Sequence, residues 1–572
     1  MNDIRRSILW VVFGFSMVLL WDQWQVYNGH KATFFPSPTP ATSTAPAANS
    51  PATAKAADGT VPAASAAATA GAPANADAAV PAAAAPRTLH TISTDVLKLV
   101  IDSQGAAVVR AELLKHDART PPPKGQPVEP LVLLETDKSY AAQSGLVGNG
   151  VPNHTTPMTL TTPATTLAEG QDRLELRFES PVLGGIKLVK NYTLQRGAYD
   201  IAVRHEVINQ GAAAVEPQLY LQLVRDGSIA GSATPFYSTF TGPVVYSSTA
   251  KYQKVEFTDI DKGKATFEKT ASDGYVAMVQ HYFASAWLLA DGSRDNYVDR
   301  VTVNQTNRYR TGAITPMATV APGASGASEA RLFLGPQDEK LLERMAPGLE
   351  LVKDYGWLTI LAKPLYWLLE KIHGFVGNWG WAIVLLVVLI KAAFYWLNAT
   401  AYRSMAKMKA INPRIVEMRE RLKGNPQQMQ QEMMKIYREE KVNPLGGCFP
   451  IMVQIPVFIA LYWVLLSSVE MRNAPWVGWI VDLSTPDPFY ILPFVMALTT
   501  VVQTALNPTP PDPMQAKLMW YMPLIFSVMF FFFPAGLVLY WITNNVLTIA
   551  QQAYINHSMG VPFQFNLPWS KK

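Results

Sequence analysis

Apolar residues along this chain follow two different periods. Between about 89 and 335 they alternate with polar ones, as in Leu174-Glu-Leu-Arg-Phe, Ile186-Lys-Leu-Val-Lys-Asn-Tyr-Thr-Leu, Ile201-Ala-Val-Arg-His-Glu-Val-Ile and Tyr220-Leu-Gln-Leu-Val. Successive side chains of a strand point to opposite faces, so period two punctuated by Gly, Pro and Asn predicts antiparallel strands. About 250 residues of this pattern suffice for one large sandwich. After that the pattern changes. The run 381–397 (WAIVLLVVLIKAAFYWL) is long enough to cross a bilayer, and further apolar stretches begin at Phe449, Tyr490, Leu518 and Ala535. That density predicts a multi-spanning helical membrane unit. Lys391 stands inside the first run with no carboxylate to neutralise it. A charge at such a position is costly and usually functional, although a lysine near a helix end can also snorkel to the interface.

The N-terminus places Arg5 and Arg6 before an apolar run from Ile8 to Leu20 that ends in Trp21, Trp24 and Tyr27. A cleaved signal peptide fits less well than an uncleaved anchor, because no small-x-small site follows closely. Residues 36–88 are almost entirely Ala, Pro, Thr and Ser, which predicts a tether spanning about 40 Å as a flexible coil. The stretch 349–373 mixes Leu, Trp and Tyr with Lys and Glu and contains Pro364. It reads as an amphipathic helix lying in the interface, or alternatively as a helix capping the sandwich. Between the first two core runs, 398–447 carries ten Lys and Arg against five Glu, and by the positive-inside rule this loop is cytoplasmic. Met405, Met408, Ile411, Ile415, Met418 and Leu422 recur at helical spacing, and Met429, Met433, Ile436 and Tyr437 answer them across Gly424-Asn425-Pro426. The prediction is a helical hairpin, about 402–423 and 427–440. Its stripes pack on each other, or offer an adaptable surface to apolar partners. Arg403, Lys407 and Lys409 give it a basic face.

Composition changes the picture little. The net charge is +5 over 572 residues, and the average hydropathy hides two unlike halves. The single cysteine, Cys448, excludes an intramolecular disulfide. His205-Glu206 is half of a zinc-protease motif, but Asn209 stands where the second histidine belongs, so no metal site is expected. No Walker loop, nucleophile elbow or dinucleotide fingerprint occurs, and no cofactor is predicted.

Three stretches carry a resemblance. They are Asn443-Pro-Leu-Gly-Gly-Cys-Phe-Pro-Ile-Met-Val-Gln-Ile-Pro-Val-Phe-Ile-Ala-Leu-Tyr, Asp512-Pro-Met-Gln and Phe533-Pro-Ala-Gly-Leu-Val-Leu-Tyr-Trp, and the basic Tyr402-Arg-Ser-Met-Ala-Lys-Met accompanies them. Together they resemble the YidC membrane protein insertase family, most strongly over 355–555. The anchor, tether and β unit resemble its Gram-negative bacterial form, which implies a β-supersandwich in the periplasm. The resemblance implies a non-enzymatic insertase and folding chaperone of the inner membrane, acting alone or with the Sec translocon and its accessory subunits. Its partners are nascent membrane proteins, the lipid bilayer and, weakly through cytoplasmic loops such as 507–517, the ribosome, with no specific nucleic-acid sequence. It also implies a groove open to cytoplasm and lipid. Lys391 matches the family's basic groove position, where arginine is usual; a lysine can lose its proton and an arginine effectively cannot. Gln454 and Gln503 match polar groove positions, and Pro456, Tyr540 and Trp541 a substrate-contacting side. Asn544 and Asn545 are further polar groups in the last run that can bond helices together.

The expected organisation is an anchor helix at 1–28, a linker at 29–88, and a periplasmic β-supersandwich at 89–340. A linker and interfacial helix follow at 341–377, then a five-helix core at 378–555 with its cytoplasmic hairpin at 398–447, and a short cytoplasmic tail at 556–572. Crossings are predicted at 7–27, 378–397, 449–468, 490–506, 518–533 and 535–553, with both termini cytoplasmic. Rival readings are a secondary transporter or channel, and a sugar-acting envelope enzyme. Against the first, transporters commonly place ionisable groups near the midplane, and no Asp or Glu occurs in the five core crossings. Against the second, no catalytic pair stands out, and fold analogy alone is a weak warrant.

Overall fold

The computed structural model describes residues 61–62, 87–121, 125–228, 239–303, 305–422, 424–440, 449–507 and 513–560. The predicted anchor at 7–27, nearly all of the Ala/Pro tract, Cys448 with 443–447, Asp512 and the tail beyond 560 lie outside them. Two compact units divide the chain, one within 47–353 and the other mainly from 354 onward.

The first unit is a sandwich of two nine-stranded antiparallel sheets. One sheet runs in the order Leu89–Ser93, Leu97–Asp102, Ala107–Asp117, Ala141–Leu146, Gln218–Arg225, Thr306–Pro316, Arg294–Val303 and Thr270–Ala271, with Pro130–Leu134 also paired to Ala107–Asp117. The other runs Lys251–Lys254, Gly242–Ser247, Tyr275–Val279, Phe283–Leu289, Ser325–Pro336, Asp200–Asn209, Ile186–Gln195, Arg173–Glu179 and Thr159–Leu160. The alternation dictates which face is inside. In Asp200–Asn209, Ile201, Val203, His205 and Val207 are buried, while Ala202 and Arg204 between them are exposed. Gln218–Arg225 departs from the pattern because nearly every residue of it is buried, as expected of a strand covered on both faces.

A polar stitch joins the sheets. The Lys190 ammonium, on Ile186–Gln195, donates to the carbonyls of Gly105 (2.6 Å) and Ser144 (2.8 Å). The Tyr192 hydroxyl donates to the Ala106 carbonyl at 2.6 Å. Gly105 has φ +68° at this turn, and a Cβ there would lie 2.3 Å from the His154 carbonyl oxygen, so only glycine fits. His205 pairs with Lys190 across the strands and shares a 2.8 Å hydrogen bond with the Ser144 hydroxyl. It is therefore a core histidine tied to its neighbours. No cluster of metal-ligating residues occurs among the described residues.

The unit closes beyond the boundary predicted at 340. The helix Glu339–Met345 is capped by the Asp338 carboxylate, which accepts from the Leu341 amide at 2.9 Å. A tight turn, Leu349–Val352, then buries Leu349 and Val352 in the cluster that holds the stacked pair Tyr246 and Tyr275. The expectation of an amphipathic helix from 349 is corrected here. Gly356 at φ +68° and the Asp354 side chain accepting from its amide break the helix, which begins only at Thr359.

The second unit is helical: α1 (Thr359–Val376), α2 (Trp379–Ala393), α3 (Tyr395–Arg421), α4 (Pro426–Glu439), α5 (Phe449–Ser467), α6 (Ile491–Leu506), α7 (Pro513–Met529) and α8 (Ala535–Ser558). Its core is a cluster built by α1, α2, α5, α8 and the 471–483 loop around Tyr366, Ile383, Leu386, Leu461, Val464 and Leu539. Large apolar side chains elsewhere on it are exposed, among them Phe375 (92%), Ile360 (88%) and Trp396 (76%), a pattern that water does not favour. Among the described residues no single helix has both the length and the hydropathy of a full span. The pair formed by α2 and the start of α3, bent by 69°, has both together. The predicted straight crossing at 378–397 is thus corrected: its helix ends at Ala393, and Phe394 turns the chain into the hairpin. The hairpin's first helix accordingly starts at Tyr395, not 402.

Candidate functional site

Lys391 lies in the last turn of α2 and is only 8% exposed. Its Nζ donates to Thr548 Oγ1 of α8 at 2.8 Å, and among the described residues no carboxylate lies within ion-pair distance of it. Thr548 in turn donates to the Asn544 carbonyl at 2.7 Å, one helical turn back. The Asn544 side-chain oxygen accepts from Gln454 Nε2 of α5 at 2.7 Å. One polar chain therefore runs Gln454, Asn544, Thr548, Lys391 across three helices. Beside it a small cleft is lined by Ile390, Phe394, Leu397, Val453 and Val457 with Lys391, Asn398 and Gln454. The lining is mostly apolar.

α8 supplies the middle of that polar chain because its polar residues recur at helical spacing. Asn544, Thr548 and Gln552 follow at i, i+4 and i+8, with Asn545 and Asn556 beside the same stripe, so they share one face. Asn545 Nδ2 donates to Thr499 and Thr500 of α6, each at 3.1 Å, and Gln552 Nε2 reaches the Leu506 carbonyl and Asn507. These bonds knit α8 to α6. Gln503, one turn beyond Thr499, is half-buried and not joined to the Lys391 chain.

Tyr540 and Trp541 stand elsewhere. Thr548 is eight residues from Tyr540, about 12 Å along the axis. Tyr540 is buried and stacks on Phe458 at 5.8 Å, while Trp541 meets the same ring edge-on at 4.6 Å and Phe530 at 5.1 Å. Pro456, inside α5 and half-buried, lies two residues from Phe458. These residues build a packed aromatic group, separate from the lysine.

In the hairpin, Ile415, Met418 and Ile436 are buried together, with Ile411, Leu422, Met429, Met433 and Tyr437 packed around them. Met405 and Met408, both half-buried, lie outside this cluster toward the α2 end of α3. Arg414 pairs with Glu439 and Glu440, and Arg421 with Glu432. Arg403 and Lys407 remain exposed, and Lys409 is half-buried. The inward stripe thus serves the hairpin's own core. Its basic face points out near the root.

Thr548 is the contact that sequence reasoning missed. A threonine in an apolar helix is unremarkable alone, but the i, i+4 stripe from Asn544 to Gln552 was there to be read.

Residues 89–368 match the family model described as YidC periplasmic domain, and 371–561 the one described as 60Kd inner membrane protein. A β-sandwich unit followed by a helical unit of this kind defines a two-part inner membrane protein. Curated proteins called membrane protein insertase YidC align along nearly the whole chain. The one from Cupriavidus metallidurans is 56% identical over 563 residues, covering 98% of both chains. The one from Ralstonia nicotianae is 55% identical over 562 residues, again 98% of both. The Burkholderia orbicola protein is 53% identical over 564 residues, 98% of this chain and 99% of its own. The chain belongs to the YidC membrane protein insertase family. A crystal structure of an active YidC insertase with its first transmembrane domain resolved aligns with a TM-score of 0.35 and 17% identity, covering 80% of this chain and 91% of that one. A galactose mutarotase related enzyme from Lactobacillus acidophilus aligns with a TM-score of 0.29 and 9% identity, covering 43% and 97%. At these values neither likeness bears on function.

Proposed function

We propose that this protein inserts newly made proteins into the inner membrane by drawing a short polar segment toward Lys391 while the following apolar segment slides into lipid. The observation that carries this reading is the buried ammonium beside a cleft, hydrogen-bonded to Thr548 and, among the described residues, without a carboxylate partner. A hydrated pocket shortens the path a polar segment must travel through hydrocarbon, where its backbone would lose water at high cost. Helix length supports this. α6 has 16 residues, about 24 Å at 1.5 Å per residue, against a hydrocarbon core of about 30 Å. Short helices thin the bilayer locally. Completion is driven by burial of the apolar segment in lipid, at about 25 cal/mol per Å². No bond is made or broken, so the protein is not an enzyme.

In this account both termini and the hairpin are cytoplasmic, the β unit is periplasmic, and the core crosses five times after the anchor. The basic hairpin root, Arg403 and Lys407, meets the emerging chain first. Gln454 and Gln503 belong to the wet side of the groove, and Pro456, Tyr540 and Trp541 support its lipid-facing wall. The Sec translocon with its accessory subunits and, weakly, the ribosome are the expected companions.

Full-length protein in liposomes tests the reading against a transporter. A single-span substrate made in a cell-free system is expected to become protease-protected only in vesicles that hold the protein. Solute flux without protection of the substrate would overturn it.

A further inference from the structure

We propose that Thr548 is the positioning residue for Lys391, holding its ammonium at the cleft and so setting how strongly the groove draws acidic segments. This rests on the reading of Lys391 above and adds a residue through which the lysine acts. Lys391 is two residues from the end of α2 at Ala393, and its four-carbon stem is long enough to carry the charge out toward the nearby interface. Something must hold it in. A threonine hydroxyl has one proton and two lone pairs. In Thr548 the proton is committed to the Asn544 carbonyl at 2.7 Å, which leaves only lone pairs to face α2. The oxygen therefore accepts from Lys391, as the 2.8 Å contact requires.

Donation to the preceding turn is ordinary in itself. Thr400, Ser467 and Thr543 do the same toward Trp396, Trp463 and Leu539. Thr548 differs in what else its oxygen meets. Besides the Asn544 carbonyl of its own helix it meets the ammonium of Lys391 on α2, so one buried hydroxyl ties the groove lysine to α8. Asn544 is itself held from the other side by Gln454, which keeps the stripe in register. An ammonium has three donors. With one spent on Thr548, two remain for a carboxylate or a backbone carbonyl of the entering segment.

The test uses the full chain in liposomes and two single-span substrates whose translocated tails differ only in Asp against Asn. The readout is the ratio of acidic-tailed to neutral-tailed insertion rates. Thr548→Val keeps the shape and removes the hydroxyl, and is expected to lower the ratio about fivefold, close to 1 kcal/mol at 1.4 kcal/mol per tenfold. Thr548→Ser is expected to restore it. In a Lys391→Met background, Thr548→Val is expected to change nothing further, because the lysine through which it acts is gone. If Lys391→Met lowers the ratio while Thr548→Val does not, the proposal fails and the groove reading stands. Equal loss with both tails, or an added loss in the Lys391→Met background, shows a merely structural threonine and also overturns it. An unchanged ratio in Lys391→Met removes the groove charge itself, and the proposal with it.

Discussion

Raising the pH from mildly to clearly alkaline stabilises the β unit, and Lys190 is the reason. Its ammonium is fully buried, with two carbonyl acceptors and, among the described residues, no carboxylate partner. Loss of hydration pulls its pKa from the ordinary 10.5 down to about 7. An unfolded chain restores the ordinary value. Between the two values the unfolded chain holds a proton that the folded unit has released, so stability rises with pH. The full cost of the buried charge is present below the folded pKa and gone above the unfolded one. One such proton is worth about 1.4 kcal/mol per pH unit, and rather less near pH 7, where the folded lysine is half protonated. From about pH 7.5 to about pH 9 the gain is about 2 kcal/mol. His205 beside it is held well below its usual pKa by burial and by Lys190, so it stays neutral and is silent in this window. Urea unfolding of residues 87–353 at steps across the window measures the slope. Lys190→Met is expected to flatten it, whatever that variant does to absolute stability. A flat wild-type profile, or an unchanged slope in Lys190→Met, refutes the reasoning.

Other expectations follow from single contacts and from the topology. A Cβ on Gly380 would lie 2.2 Å from Trp476 Cδ1, so Gly380→Val forces α2 away from the 471–483 loop; a lowered unfolding midpoint in detergent, equivalent to about 1–3 kcal/mol, is the expected sign. The Asp487 carboxylate accepts from Trp479 Nε1 at 3.0 Å, the Phe489 amide at 3.0 Å and the Leu492 amide at 2.7 Å. Asp487→Ala is expected to cost about 2 kcal/mol, and Asp487→Asn less; equal midpoints for the two variants would contradict that role. A reporter fused after Pro426 is expected to be active only when it matures in the cytoplasm, and periplasmic activity would reverse the topology. Deleting 90–320 is expected to leave insertion largely intact and deleting 403–440 to abolish or strongly impair it, as complementation of depleted cells will show; the opposite outcome reverses the roles of the two soluble parts.

The sandwich was legible because alternation is visible residue by residue. Lys190 even carries the signature of a buried position, since it shares parity with Ile186, Leu188, Tyr192 and Leu194, all buried. What stayed hidden were helix ends inside uniformly apolar sequence. Nothing in the hydropathy of 381–397 marks Phe394, because the residues on either side of the bend are equally apolar. At 349–358 the stripe of Leu and Tyr was real, but Gly356 and Asp354 turn the backbone, and Leu349 and Val352 belong to the sandwich core. For the site, a lysine without a carboxylate stood out at once in an apolar run. Its partner did not, because a hydroxyl one helix away is chosen by packing and not by spacing along the chain.

The most direct measurement of the central claim is a charge exchange. Lys391→Glu is expected to insert an acidic-tailed substrate poorly and a basic-tailed one better than wild type does. The expected size is modest, since a unit-charge pair at 4 Å is worth about 4 kcal/mol at an effective dielectric of 20 and about 1 kcal/mol in water. If acidic-tailed and basic-tailed substrates respond alike to Lys391→Glu, the charge at residue 391 does not guide insertion and the account of the groove is wrong.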